Sequence, residues 1–307
     1  MKLYAGFDLG GTQLKYGLVD EEGEIASQGM IASPKTPDLL WEVLENIWGT
    51  LPKGLRKSVK AVGLGLPGIF NRSESKLFGC THFPALDGLV LENNLSHIFS
   101  VPFHLDNEAN LAAYGEYKVG GAQGADSLVL LTIGTGIGTG IIIDGRVFRG
   151  SAGYAGELGH VPVNPDGESC ACGSRGCLET EVSATAILRH YRHLAGSAGG
   201  ISTAEEIGRM AVEGDPLSLQ AFQMSGKYLG IGLSIVINLL NPEVVLIGGG
   251  VSESGSVLME PALDEAGKHT FRAAFETCRI QKAALGNAAG FVGAALWAHE
   301  CESRQVR

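Results

Sequence analysis

His160 is followed by Cys170, Cys172 and Cys177, so three thiols and one imidazole fall within eighteen positions. Three thiolates and an imidazole complete a tetrahedral Zn²⁺ shell, and Gly173 and Gly176 let the chain wrap closely round the ion. With four protein ligands no coordination position stays open, so His160, Cys170, Cys172 and Cys177 predict a structural zinc, not a hydrolytic one. Glu157 precedes His160 by three residues and Glu179 follows Cys177 by two. A loop folded round the metal therefore brings two carboxylates toward an imidazole that has one ring nitrogen left to donate. Such a set suits a polyhydroxylated ligand.

Three glycine-rich turns form the second group: Asp8 to Thr12, Gly134 to Gly140 and Gly248 to Gly250. A strand ending in such a turn presents several backbone N–H groups to one point, which suits phosphate oxygens. The first two lead into strands and lack the Gly-Lys-Ser/Thr of a P-loop. Asp8 alone carries a charge at the mouth of its turn; beside a triphosphate it would position Mg²⁺ directly or through water. Gly63-Leu64-Gly65-Leu66-Pro67-Gly68 matches the dinucleotide fingerprint, with Asp87 nineteen residues on. No helical stripe follows it, so it reads as a strand running into a turn.

The elements that must hold these groups are α/β in pattern. Leu3 to Asp8, Leu14 to Val19, Val59 to Leu66 and Glu243 to Ile247 read as strands, and His97 to Leu105 as a further one. Apolar stripes predict helices over Leu39 to Trp48, Ala109 to Lys118, Ala184 to Leu194, Thr203 to Glu213, Leu217 to Leu240 and Gly290 to His299. At an offset of 124 residues, Phe7 to Thr12 aligns with Leu131 to Gly136 and Gly17 to Asp20 with Ile141 to Asp144. Two copies of strand, glycine turn, strand and acidic turn argue for a duplicated unit.

Composition agrees. The chain has 307 residues, enough for two lobes, and 45 are glycine, about twice the usual share. A formal charge of -10 with no basic stripe argues against nucleic acid as a partner. Leu128 to Ile143 is short and glycine-broken, and Leu229 to Gly250 holds Asn238, Asn241, Pro242 and Glu243, so neither reads as a membrane span. No signal peptide is apparent, and Cys80, Cys278 and Cys301 are scattered, so a reducing cytoplasm is expected.

These residues together resemble the ROK family of bacterial sugar kinases and sugar-responsive repressors, within the actin, Hsp70 and hexokinase fold superfamily. The resemblance runs from about Tyr4 to Trp297. It is carried by Asp8-Leu9-Gly10-Gly11-Thr12, Leu66-Pro67-Gly68, Asn107-Glu108-Ala109-Asn110, Ile133 to Gly138, Gly156 to His160, the Cys-x-Cys-Gly-x-x-Gly-Cys-x-Glu run and Ile247 to Val251. It implies a two-lobed fold with duplicated ribonuclease-H-like cores and an interlobe cleft, residues 1–106 plus 291–307 forming one lobe and 107–290 the other. By the same resemblance, ATP with Mg²⁺ would lie against Asp8, Gly10, Gly11, Thr12, Thr135, Gly136, Gly249 and Gly250. The sugar would lie against Asn107, Glu108, Glu157, His160 and Glu179. The implied activity is ATP-dependent phosphorylation of a hexose or N-acetylhexosamine hydroxyl, the 6-OH, by a cytoplasmic homo-oligomer, dimer or tetramer. The other reading is a zinc-stabilised sugar sensor without efficient transfer.

Two departures bear on this. Kinases of the family usually have Asp where Glu108 stands, and that Asp accepts the proton of the attacking hydroxyl. Displacing the carboxylate by about 1 Å could cost on the order of 100-fold. Family repressors carry a helix-turn-helix segment before the first glycine turn; seven residues precede Asp8 here, so DNA binding within this chain is not expected. Glucokinases of the family tend to show Asn at His82 and Trp at Leu86, which argues against glucose as the preferred sugar.

Overall fold

A computed structural model describes residues 2–71, 76–80, 83–196 and 200–305. The chain divides into two compact units. Unit 1 is Met1–Gly124, Gly140–Ala155 and Ala284–Arg307; unit 2 is Ala125–Thr139 and Gly156–Ala283.

Unit 1 is built on a five-stranded sheet, β3 (Ile25–Ala32), β2 (Gln13–Val19), β1 (Leu3–Leu9), β4 (Val59–Leu66) and β7 (Phe103–Asn107), in that order. β1, β4 and β7 are parallel, and β1, β2 and β3 form an antiparallel meander. A side sheet pairs β5 (Ile69–Asn71) with β6 (Lys76–Phe78). The alternation along β1 decides its two faces. Leu3, Ala5, Phe7 and Leu9 join Leu40, Leu44 and Trp48 of the helix Pro37–Thr50 in one core. Tyr4, Gly6 and Asp8 face the last helix, Ala289–Gln305, where the Tyr4 hydroxyl meets His299 Nδ1 at 2.9 Å.

That helix lies close against the sheet. A Cβ on Gly6 would fall 1.8 Å from the Phe291 carbonyl oxygen, and one on Gly63 the same distance from that of Ala294. Gly63 and Gly65 are therefore residues inside β4 that admit neighbouring backbone, and the fingerprint-like run leads into β5, not into the helix of a dinucleotide turn. The helix Glu108–Val119 packs on the same last helix and lies with it in unit 1.

The second sheet has the order β10 (Arg146–Val147), β9 (Ile137–Ile143), β8 (Ser127–Ile133), β11 (Val244–Gly248) and β12 (Arg279–Lys282). Each sheet thus has a central strand, β1 or β8, with the next two strands of the chain on one side and two parallel strands on the other. The duplication expected from the 124-residue offset is present in the strand order. The boundary between the units runs through β9. In unit 2, Val244 to Ile247 are fully buried, as a central parallel strand requires. The helices Pro216–Leu240 and Ser256–His269 pack against each other.

One expected strand is corrected. His97 to Leu105 is not continuous: Glu92–Ile98 is helical and β7 begins at Phe103, because Leu91, Leu95 and Phe99 bury one face at helical spacing and Pro102 stops it. The helix Ser256–His269 carries Pro261 and gave no clear stripe. Among the described residues no helix is long and apolar enough to cross a membrane.

Candidate active site

The parallel strands of unit 1 bring their carboxyl ends to one edge, where α/β sheets place ligands. Asp8 pairs in register with Gly65, and Gly65 with Asp106, so Asp8 and the Asn107-Glu108 step sit at that edge two strand spacings apart, about 10 Å. Asp8 faces the start of the last helix, and a Cβ on Gly290 would fall 2.2 Å from its Oδ2. Desolvation there raises the Asp8 carboxyl to about 6, against the opposing pull of Lys15. Lys15 itself donates to Asn287 Oδ1 at 2.9 Å. Gly10 N–H closes the first turn on the Gln13 carbonyl at 3.0 Å.

Asn107 caps the helix Glu108–Val119: its Oδ1 accepts from Ala109 N (2.9 Å) and Asn110 N (3.2 Å). Its Nδ2 donates to the Gly68 carbonyl (3.1 Å) and to Glu108 Oε2 (2.8 Å). Both amide protons and the acceptor oxygen are thus engaged within the chain. Asn107 orients Glu108, and a direct sugar contact would have to share one of these bonds. Behind it, buried Asp106 accepts from Asn107 N at 2.9 Å and from Arg149 Nε at 2.8 Å, and Arg149 stacks 4.8 Å above the Trp297 ring. Asp106 and Arg149 had no local signal, being 43 residues apart.

In unit 2 the four proposed metal ligands converge. His160 Nδ1 lies 3.6 Å from Cys170 Sγ, Cys172 Sγ lies 3.7 Å from Cys177 Sγ, and all four donor atoms fall within 4.8 Å of one another. Donors about 2.0–2.3 Å from a common centre at tetrahedral angles stand about 3.5–3.8 Å apart, so this set is compatible with a structural zinc. Gly173 and Gly176 both hold positive φ, as the tight wrap requires. His160 presents Nδ1 to the thiols and leaves Nε2 on the other side, 3.9 Å from Glu157 Oε2.

Glu157 is half exposed. Desolvation still raises its carboxyl, with His160 opposing and Glu179 adding to the shift. Glu179 is buried at the start of the helix Leu178–Val182, and its Oε2 accepts from Ile137 N at 2.9 Å. Ala184 N donates to the Gly134 carbonyl at 2.8 Å, so the segment after the zinc run is tied to the second glycine turn. Gly249, at φ +83°, closes the third turn against the second, since a Cβ there would fall 2.4 Å from the Ile133 carbonyl oxygen. Thr135, Gly136, Gly249 and Gly250 are thereby gathered in one unit.

Glu181 was missed. It is buried two residues after Glu179 and accepts from Asn164 Nδ2 at 3.0 Å, which pins the loop leading to the cysteines. Leu86 is buried in the unit 1 core, and His82 lies outside the described residues. None of the six cysteines forms a disulfide; desolvation pushes the buried Cys80 thiol up to about 12 and Cys278 to about 11, which leaves both unreactive.

A duplicated sheet of this order with glycine turns at its strand ends defines the two-unit, actin-like sugar kinase fold. The ROK family model matches residues 4–301, and the chain belongs to that family. A glucokinase of Streptomyces coelicolor is 32% identical, with 98% of each chain aligned. The crystal structure of a ROK family glucokinase from Streptomyces griseus in complex with glucose and AMPPNP superposes with a TM-score of 0.84 at 32% identity, covering 97% of this chain and 99% of that one. The xylose repressor of Bacillus subtilis is 28% identical over 94% of this chain and 74% of its own length.

Proposed function

We propose that the chain is an ATP-dependent hexose kinase that transfers the γ-phosphoryl group to a sugar hydroxyl, the 6-OH of glucose or of a related hexose or N-acetylhexosamine. The observation that carries this reading is the full-length likeness to glucokinases, taken with a carboxylate, Glu108, held at the same sheet edge as the Asp8 turn. In unit 1, Gly10 N–H closes the turn on the Gln13 carbonyl, the N–H groups of Gly11 and Thr12 cradle phosphate oxygens, and Asp8 orients Mg²⁺ directly or through water. Asp8 would hold the Mg²⁺, which would supply charge neutralisation to the phosphates. Glu108 accepts the proton of the attacking hydroxyl, aimed by the Asn107 amide. Because little covalent chemistry falls to the protein in phosphoryl transfer, that aim matters more than basicity.

In unit 2, Thr135, Gly136, Gly249 and Gly250 take the nucleotide, and Glu157, His160 Nε2 and Glu179 take sugar hydroxyls. His160 Nδ1, Cys170, Cys172 and Cys177 would hold Zn²⁺, which would fix the imidazole tautomer and direction. Asn107 adds a sugar contact by sharing one of its bonds. We place the protein in the cytoplasm as a homo-oligomer, dimer or tetramer.

ADP release measured over a panel of hexoses and N-acetylhexosamines tests the activity. Sugar-stimulated turnover supports it; calorimetric sugar binding with no turnover favours instead the sensor reading, which Glu108 and the likeness to a xylose repressor keep in play.

A further inference from the structure

The segment that follows β3 crosses behind the first glycine turn and takes up its carbonyls one after another. Ser33 Oγ donates to the Gly10 carbonyl at 2.5 Å, Lys35 Nζ to the Gly11 carbonyl at 2.6 Å, and Ser33 N to the Thr12 carbonyl at 3.0 Å. In a trans peptide the N–H points opposite to the carbonyl. The N–H groups of Gly11 and Thr12 therefore face away from Ser33 and Lys35, and among the described residues neither has an acceptor. The exposed Lys35 ammonium also lies over the buried Phe83 ring, 4.6 Å from the centroid.

We propose that Lys35 is a positioning residue for the nucleotide phosphates. Its ammonium pins the Gly11–Thr12 peptide with the N–H turned to the ligand side, and it polarises that peptide so that the N–H becomes a stronger donor to a phosphate oxygen. Charge-assisted bonds are stronger than neutral ones, and hydrogen bonds in a chain reinforce one another. A flexible glycine pair has many ways to turn these amides elsewhere, so fixing them beforehand removes an ordering cost from nucleotide binding. Ser33 fixes the preceding peptide but brings no charge. This inference rests on the kinase reading, because it gives the first turn a phosphate to hold.

Calorimetry with ADP·Mg²⁺ and AMPPNP·Mg²⁺, alongside separate titration with glucose and the other panel sugars, tests it. Lys35→Met should weaken both nucleotides about tenfold and leave sugar affinity unchanged, while Lys35→Arg should restore nucleotide affinity to within about threefold. In turnover the Met variant should raise KM for ATP with no change in KM for sugar. A merely structural lysine would move the two substrates together. Equal losses for sugar and nucleotide, unchanged nucleotide affinity in Lys35→Met, or failure of Lys35→Arg to rescue would each overturn the proposal while the kinase reading stands. Absence of nucleotide binding by the wild type would overturn both.

Discussion

Glu108 and Asp8 occupy the same sheet edge but meet different fields. Glu108 receives the Asn107 amide at 2.8 Å, which sets the direction of its carboxylate, the proposed proton acceptor. Glu108→Gln should lower turnover at least about 100-fold while sugar affinity stays within a few-fold, because the amide keeps the shape and loses the base; retained turnover in a coupled ADP assay would remove Glu108 as base. Asp8 titrates at about 6 in the folded chain against an ordinary 3.8. The folded state binds this proton more tightly than the unfolded chain. Its contribution is thus greatest below pH 4 and is lost as pH rises to 6, and the ionised form costs at most about 3 kcal/mol above that. Asp8→Asn should therefore raise the melting temperature at pH 7.5 but not at pH 4, and abolish turnover. A gain of equal size at both pH values would mean that ionisation is not its cause.

At the scale of elements, the segment after the Cys/His cluster, with the proposed sugar ligand Glu179, is tied to the second glycine turn through Ile137. Cys172→Ser should lose the metal, measured by elemental analysis, and weaken sugar binding more than nucleotide binding in parallel titrations, because His160 loses its fixed direction. Wild-type protein purified without zinc would end that assignment. The last helix has a different dependence on sequence. Gly63 and Gly6 admit its backbone to the sheet, a role that neither glycine announces along the chain. Gly226, Gly230 and Gly232 behave alike: Cβ atoms there would fall 2.5 Å from Pro261, 2.5 Å from the Ala262 carbonyl oxygen and 2.8 Å from Leu178. Part of the glycine excess thus serves close helix packing and not ligand turns.

For the molecule as a whole, a sugar that binds only the folded state should stabilise it by about 2.7 kcal/mol at a hundredfold excess over Kd, a rise of several degrees in melting temperature. Ranking glucose, N-acetylmannosamine and xylose by that shift should single out the preferred sugar; a shift with ADP and none with any sugar would contradict the sugar assignments in unit 2. A net charge of -10 offers phosphate substrates no general attraction, and Lys15 and Lys35 are cations placed beside the first turn.

By itself the sequence determined what short segments can decide. The proposed zinc ligands span eighteen positions, the glycine turns a few residues each, and the 124-residue repeat became two sheets of identical strand order. Metal geometry, turn chemistry and strand alternation are local, so residue types and spacing suffice to read them. Tertiary structure alone decided that Asp106 and Arg149 back the Asn107 cap, that Glu181 pins Asn164, and that Lys35 closes on Gly11. It also made the Asn107 side chain a helix cap that holds Glu108. These contacts join residues far apart in sequence or depend on which face a neighbouring helix covers. Their energies exist only once the backbone has closed round them.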